Sequence, residues 1–146
     1  MSDTKKPKIS EHIRQRTQEW FRKAEHELAY LRIAPFDLDD PPTDTTCRMA
    51  HMVAEYALKA YLMINKHKIP KSHDLVYVLS QCISIHDDSD FELFRSDCQL
   101  LTTYRTEMAY PGAFPIVVPV EEAKAAISIA TNIYQFVLKK TNELGY

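Results

Sequence analysis

Six histidines are the side chains of this sequence with the clearest capacity to bind a metal. A di-iron site in a helical bundle requires Glu-x-x-His pairs on two helices, and no Asp or Glu here has a His three residues later. His51 and Glu55 lie one helical turn apart, but a metal site needs more ligands than one turn supplies. For this pair we therefore favour a polar contact on a buried helix, and we expect no bound metal.

The cysteines are the next candidates, because a thiol whose pKa is lowered by nearby charge is a nucleophile. Cys47, Cys82 and Cys98 are widely spaced and form no C-x-x-C pair, and two of them fall on apolar helical stripes. An odd number at such spacing indicates reduced core residues of a cytosolic protein. The first residues, MSDTKKPKIS, contain no apolar leader, so we expect a cytoplasmic location.

One charged cluster is not explained by core packing alone. Glu55 and Lys59 are spaced i, i+4 on an otherwise apolar segment, and Pro70-Lys71-Ser72-His73-Asp74-Leu75 follows after a break. An ion pair on an apolar surface loses solvation unless its geometry is good. The pair therefore serves specificity, meets a partner, or lies exposed at the edge of the helix, and the spacing leaves these alternatives open.

A second cluster contains Tyr104, Arg105, Tyr110 and Pro111. Arg105 takes an intervening position on an apolar seam at three- and four-residue spacing, made of Phe91, Phe94, Cys98, Leu101 and Met108. A guanidinium there is expected to meet a carboxylate or to receive a phosphate bidentately. Glu107 is too close along the helix to be its i, i+4 partner, so the partner is expected from another helix or another chain.

Five amphipathic segments position these residues. Apolar side chains recur at helical spacing over about Ser10–Ile33, Asp44–Lys66, Leu75–Cys82, Ser89–Tyr110 and Pro119–Lys140. The second segment is apolar over more than half of its circumference, which predicts the buried centre of a bundle. We predict an all-α fold, an up-and-down four-helix bundle with an additional short helix (about five helices), with a flexible tail over 1–10 and a single domain over 11–146.

Helix starts are predicted from side chains that accept backbone N–H groups. Ser72 is expected to cap the third helix, with Asp74 in its first turn. Ser89 and Glu92 have the spacing of a capping box for the fourth helix. Pro119 is expected at the first position of the fifth.

Composition excludes several classes of protein. Two glycines in 146 residues are too few for a P-loop or a dinucleotide-binding loop. No run approaches the roughly 20 apolar residues of a membrane span, so we expect no membrane association. The 18 Lys and Arg against 20 Asp and Glu give a net charge of -2, so nucleic-acid contact would need a local patch, and we expect no DNA binding.

The order of these motifs resembles the HEPN family of small prokaryotic helical bundles. The resemblance rests on Trp20, Ala24, Glu27 and Leu28, then on Ala54-Glu55-Tyr56-Ala57-Leu58-Lys59-Ala60, Pro70–Leu75 and Tyr104–Pro111. It implies a homodimer, often paired with a minimal nucleotidyltransferase as toxin and antitoxin. It also implies nucleotide or RNA binding or, in a subset, metal-independent ribonuclease activity.

The ribonuclease subset has an Arg followed after four to six residues by a His. No arginine here has that His; Arg105 is followed instead by Tyr110, and a phenol is a poorer base at neutral pH than imidazole. In addition, Ala109 stands where the other branch commonly has Arg before Tyr-Pro. These departures disfavour catalysis.

We therefore predict a non-enzymatic, cofactor-free, homodimeric module that binds a nucleotide or RNA phosphate or docks on a nucleotidyltransferase. The alternatives are a ribonuclease with a degenerate Arg-x4-Tyr site and a purely structural dimer. No catalytic residue is assigned. The predicted ligand-binding residues are Arg105, Tyr104, Tyr110, Lys59, Glu55, His73 and Asp74.

Overall fold

The computed structural model describes residues 8–106, 111 and 117–146. Within these residues the chain forms five α-helices and one 3-10 helix, and no strand. The helices are α1 (Glu11–Arg32), α2 (Thr43–Ile64), α3 (Leu75–His86), α4 (Arg95–Thr106) and α5 (Val120–Glu143), with the 3-10 helix Ser89–Phe94 leading into α4. The all-α prediction with about five helices is confirmed.

The four longer segments run up and down. Arg14, near the start of α1, donates to the carbonyl of Gly145 just after α5, so α1 and α5 are antiparallel. Thr43 at the start of α2 donates to the carbonyl of Val118 just before α5, so these two helices begin at the same end. α4 is antiparallel to α5, because the 3-10 helix that precedes α4 lies beside the end of α5.

The short helix α3 lies between α2 and α4. The amide of Leu75 donates to Oγ1 of Thr102 on α4 at 3.0 Å, and His86 at its far end donates to the side chain of Asn65 just after α2 at 2.7 Å. α3 therefore extends from the middle of the bundle to the end where α2 stops. The connector between α2 and α3, residues 65–74, is held at both ends.

α2 is the centre of the bundle, as its apolar circumference predicts. It packs against each of the other four α-helices, and its buried residues are spread along its whole length, from Thr43 to Ile64.

The three cysteines are free and buried, and burial raises the pKa of Cys47 and of Cys98 to about 12. The prediction that the cysteines are core residues is therefore confirmed, and burial disfavours the reactive thiolate form.

Three predicted helix starts differ in detail. The N-cap of α3 is Asp74, whose carboxylate accepts from the amides of Val76 and Tyr77; Ser72 instead accepts from the amide of Asp74. Both side chains can cap, so the prediction of Ser72 was wrong by two residues. Similarly, Pro119 is the N-cap residue of α5 and Val120 is the first helical residue.

The predicted capping box at Ser89 and Glu92 is not formed. Asp88 accepts from the amide of Asp90 and caps the 3-10 helix, while both oxygens of Glu92 accept from Arg95. The fourth helical segment therefore begins as a 3-10 helix. Lys140 of α5 fixes this start by donating to Asp88 at 2.8 Å and to Asp90 at 2.7 Å.

Several predicted features lie outside the described residues. These are Tyr110 and Met108 of the fourth segment, residues 1–7 of the predicted tail, and residues 113–116 of the apolar connector before α5. Among the described residues, no helix is both long and apolar enough to cross a membrane.

Candidate functional site

Glu55 and Lys59 form a buried ion pair on α2. Nζ of Lys59 lies 3.2 Å from Oε2 of Glu55, and the two side chains are 5% and 4% exposed. The alternative of an exposed pair at the helix edge is therefore wrong. Burying the pair removes both charged groups from water. Such a pair is stable only if the remaining polar atoms of both side chains also have hydrogen-bond partners.

His73 supplies the second contact to this carboxylate. Its Nδ1 donates to Oε1 of Glu55 at 2.7 Å, so each oxygen of Glu55 has one donor. The His73 side chain is 49% exposed, whereas Glu55 is buried. This histidine therefore links the buried pair to the surface and fixes the connector against α2.

His51 lies one turn before Glu55 and is fully buried. Its Nε2 lies 2.8 Å from the backbone carbonyl of His73, and a carbonyl only accepts, so Nε2 carries the hydrogen. Burial lowers the pKa of His51, and the charge of Arg105 lowers it further, against the raising effects of the His73 carbonyl and of Glu55. His51 is therefore neutral, and its Nδ1 is a lone-pair acceptor.

This acceptor has no partner within the described part of the chain. Nδ1 of His51 is buried and makes no hydrogen bond there. An unpaired buried acceptor is uncommon in folded proteins and indicates a water, a ligand or another group that completes it. The sequence predicts a polar contact for His51, and its bond to the His73 carbonyl is such a contact. The unpaired Nδ1 has no signal in the sequence, and His51 is therefore missing from the predicted ligand-binding residues.

The buried seam of α4 runs through Cys98, Leu101 and Tyr104. Arg105 is half-buried at the edge of this seam, so Tyr104 takes the seam position predicted for the arginine. The positive charge of Arg105 contributes to the lowered pKa of His51 on α2. No carboxylate among the described residues forms an ion pair with Arg105.

Tyr104 points to a different neighbour. It is 3% exposed, and its hydroxyl donates to Oε1 of Glu122 on α5 at 2.7 Å. Burial and this carboxylate raise the pKa of Tyr104. Tyr104 therefore attaches α4 to α5, whereas Arg105, one residue later, acts on α2.

The predicted site residues do not all lie in one place. The structure brings together Glu55, Lys59 and His73, with His51 joining through the connector and Arg105 through its charge. Asp74 is adjacent but is occupied as the cap of α3, and Tyr110 lies outside the described residues. The described residues contain no group of three or more His, Cys, Asp or Glu side chains arranged to hold a metal ion.

The chain is similar to a known protein family. The model of the HEPN domain family matches residues 17–141 of the chain. This span includes all of the helices except the first turns of α1 and the last residues of α5. No curated protein and no solved structure matches the chain.

Proposed function

Because the chain belongs to the HEPN domain family, we propose that it is a non-enzymatic binding module that receives a phosphate of a nucleotide or RNA at Arg105. The observation that carries the proposal is the charge of this arginine. A half-buried guanidinium without a carboxylate partner in the described chain is partly desolvated and uncompensated. Phosphate matches its planar donor geometry.

His51, whose pKa responds to the charge of Arg105, carries a second unmet hydrogen-bonding group. Its unpaired Nδ1 is a buried acceptor that an ordered water can complete. Glu55, Lys59 and His73 hold the surface beside it, since His51 is fixed by the His73 carbonyl. In this proposal Arg105 contacts the phosphate, and Glu55, Lys59 and His73 hold the connector and His51 in place.

The proposed assembly is a homodimer. Leu93 and Leu100 lie seven residues apart on the outer side of the fourth helical segment and are 78% and 40% exposed, and Val117 before α5 is 85% exposed. Exposed apolar side chains favour self-association. The alternative partner for these exposed apolar side chains is a nucleotidyltransferase, as in toxin and antitoxin pairs.

Titration calorimetry with a 5′-mononucleotide and with a short RNA tests the phosphate site. Arg105→Lys keeps the charge but loses the bidentate geometry, so we expect at least about a tenfold loss of affinity, and a larger loss for Arg105→Ala. The matched control is Arg95→Lys on the same helix, because Arg95 already donates twice to Glu92. Unchanged binding in both Arg105 variants would make Arg105 a structural residue and refute the proposal.

Ribonuclease activity is the second candidate, and His51 is the observation that favours it. A neutral imidazole near Arg105 is the kind of base that cleavage requires, but its free nitrogen is buried. We therefore expect RNA to remain intact with the purified protein. Robust cleavage that both Arg105→Ala and His51→Gln abolish would establish the enzyme instead.

A further inference from the structure

The connector between α2 and α3 has an excess of positive charge that the rest of the chain lacks. From 56 to 73 the sequence contains four lysines and no Asp or Glu, whereas the whole chain has a net charge of -2. One of the four, Lys59, is neutralised by Glu55. The other three, Lys66, Lys68 and Lys71, lie within or beside the connector.

The acidic residues on either side of this segment already have hydrogen-bond donors within the protein. Glu55 accepts from Lys59 and His73, and Asp74 accepts from two amides of α3. In the described chain none of the three connector lysines forms an ion pair. Their charge is therefore available to an anion from outside.

Two of these lysines, Lys68 and Lys71, line a cleft rather than a flat surface. An open cleft of about 290 Å³ lies between the connector and α3, and its lining consists of His67, Lys68, Ile69, Pro70, Lys71, Tyr77 and Gln81. Tyr77 is 48% exposed, so the cleft combines cations with an accessible aromatic ring. A volume near 300 Å³ is at the lower end of small-ligand sites.

The backbone of the connector is fixed before any ligand arrives. The amide of His67 donates to the carbonyl of Leu62 at 3.0 Å, and the carbonyl of His73 accepts from His51. The ring of His67 is also oriented, because its Nδ1 donates to the carbonyl of Lys68 at 2.7 Å. Binding in this cleft would therefore require little loss of backbone entropy.

We propose that the cleft between the connector and α3 is a second anion site, specific for a phosphate that carries an aromatic base. Lys68 and Lys71 bind the phosphate, and the ring of Tyr77 stacks on the base. Ile69 and Pro70 supply an apolar wall, and Gln81 offers both donors and acceptors to the edge of the base. The ligand is a nucleotide, either free or at the end of an RNA strand.

This site does not depend on the one at Arg105. Arg105 is on α4, and the cleft is lined only by the connector and α3. A nucleotide could occupy either site while the other is empty. An Arg105 variant therefore separates the two proposals.

The experiment is an NMR titration of the full chain that follows backbone amide shifts. The probes are a 5′-mononucleotide, a short RNA with a 5′-phosphate, inorganic phosphate and a polyglutamate peptide. We expect the mononucleotide to shift amides of 67–71 and 77–81 in wild type and equally in Arg105→Ala. Tighter binding of the RNA than of the mononucleotide would identify the strand end as the source, and the reverse would identify the free nucleotide.

Two variants test the assigned roles. Lys68→Ala/Lys71→Ala should weaken the mononucleotide at least about tenfold, whereas the control Arg16→Ala/Lys139→Ala removes two exposed charges elsewhere and should not. Tyr77→Ala should weaken it at least about fivefold and leave inorganic phosphate unchanged. All substituted residues are exposed or half-buried, so melting temperatures should stay close to wild type.

Three results would overturn the proposal. The first is a set of mononucleotide-induced shifts over amides 67–71 and 77–81 that survives Lys68→Ala/Lys71→Ala. The second is equal affinity for inorganic phosphate and mononucleotide, which would leave Tyr77 without a role. The third is polyglutamate binding as tight as RNA binding, which would make the cleft a contact for acidic proteins.

Discussion

Oε1 of Glu55 and Nδ1 of His73 lie 2.7 Å apart, although 18 positions separate the two residues in the sequence. This bond places the connector of the bundle against its central helix. Because the other oxygen of Glu55 accepts from Lys59, one buried carboxylate holds both a buried cation and a surface loop. The predictions below follow from this cluster and from the contacts around it.

Removing the charge of Glu55 should destabilise the protein strongly. Glu55→Gln leaves Lys59 buried without its counter-ion, and loss of one partner of a buried pair costs about 3–5 kcal/mol. Glu55→Gln/Lys59→Met removes the stranded charge and should recover a substantial part of the stability. Urea unfolding measures both effects.

The control for this pair is Glu92→Gln. It breaks an even shorter ion pair, with Arg95 at 2.7 Å, at the surface, where such pairs contribute little. We expect no measurable change in its urea midpoint. A loss of stability in Glu55→Gln as small as in Glu92→Gln would show that the buried pair is not a structural anchor.

Stability should fall as the pH falls below about 6.5, the ordinary pKa of histidine. Burial lowers the pKa of His51 in the folded state, so the unfolded chain takes up a proton there before the native protein does. The charges facing His51 are Glu55, which opposes this effect, and Arg105 and His73, which support it. Thermal melts between pH 8 and 5 measure the dependence.

His51→Gln tests whether this histidine is responsible. A glutamine side chain can still donate to the His73 carbonyl but does not titrate in this range, so the slope of stability against pH should decrease. His12→Gln, on an exposed position of α1, should leave the slope as in wild type. Equal slopes in wild type and His51→Gln would contradict the assignment.

Tyr104→Phe should leave nucleotide and RNA binding within about twofold of wild type. The variant loses one hydrogen bond to Glu122, which costs about 1 kcal/mol of stability, but the hydroxyl points to α5 and not to Arg105. Tyr134→Phe is the matched control, because its hydroxyl also donates to a glutamate, Glu25, at 2.7 Å. A loss of binding in Tyr104→Phe but not in Tyr134→Phe would show that the Tyr104 hydroxyl contributes to ligand binding.

Lys140→Met should loosen the 3-10 helix while leaving the bundle folded. Lys140 is the cation that holds Asp88 and Asp90, so its loss should raise amide exchange rates over residues 88–94. Lys139→Met changes the neighbouring exposed lysine and should not affect these amides. Unchanged exchange in Lys140→Met would mean that the cap of Asp88 suffices alone.

The helices were predictable because their apolar residues repeat at helical spacing over several turns. The apolar circumference of α2 predicts its central position, and the sequence also predicts that Glu55, Lys59 and His73 belong to one cluster. The helix starts were harder, since Ser72 and Asp74 are both able to cap α3 and only the backbone selects between them. Spacing also could not show that Tyr104 faces α5 while Arg105 acts on α2.

His51 illustrates the other limit of sequence reasoning. Its partner is a backbone carbonyl of His73, and backbone acceptors have no signature in the sequence. The useful signal was the repeat of polar residues at four-residue spacing along an apolar helix, His51, Glu55 and Lys59. Such a stripe on a buried helix indicates internal hydrogen bonding rather than metal binding.

The chain contains one tryptophan, Trp20, and it lies where α1 meets α2. Its ring is half-buried and 6.0 Å from the ring of Tyr56, so its fluorescence reports on the docking of α1 without any label. Emission that shifts to longer wavelength before the far-ultraviolet circular dichroism changes would mean that α1 detaches while the other helices persist. The same signal would follow ligand binding only if the ligand moves α1, which makes Trp20 an internal reference for titrations at Arg105 and at the connector cleft.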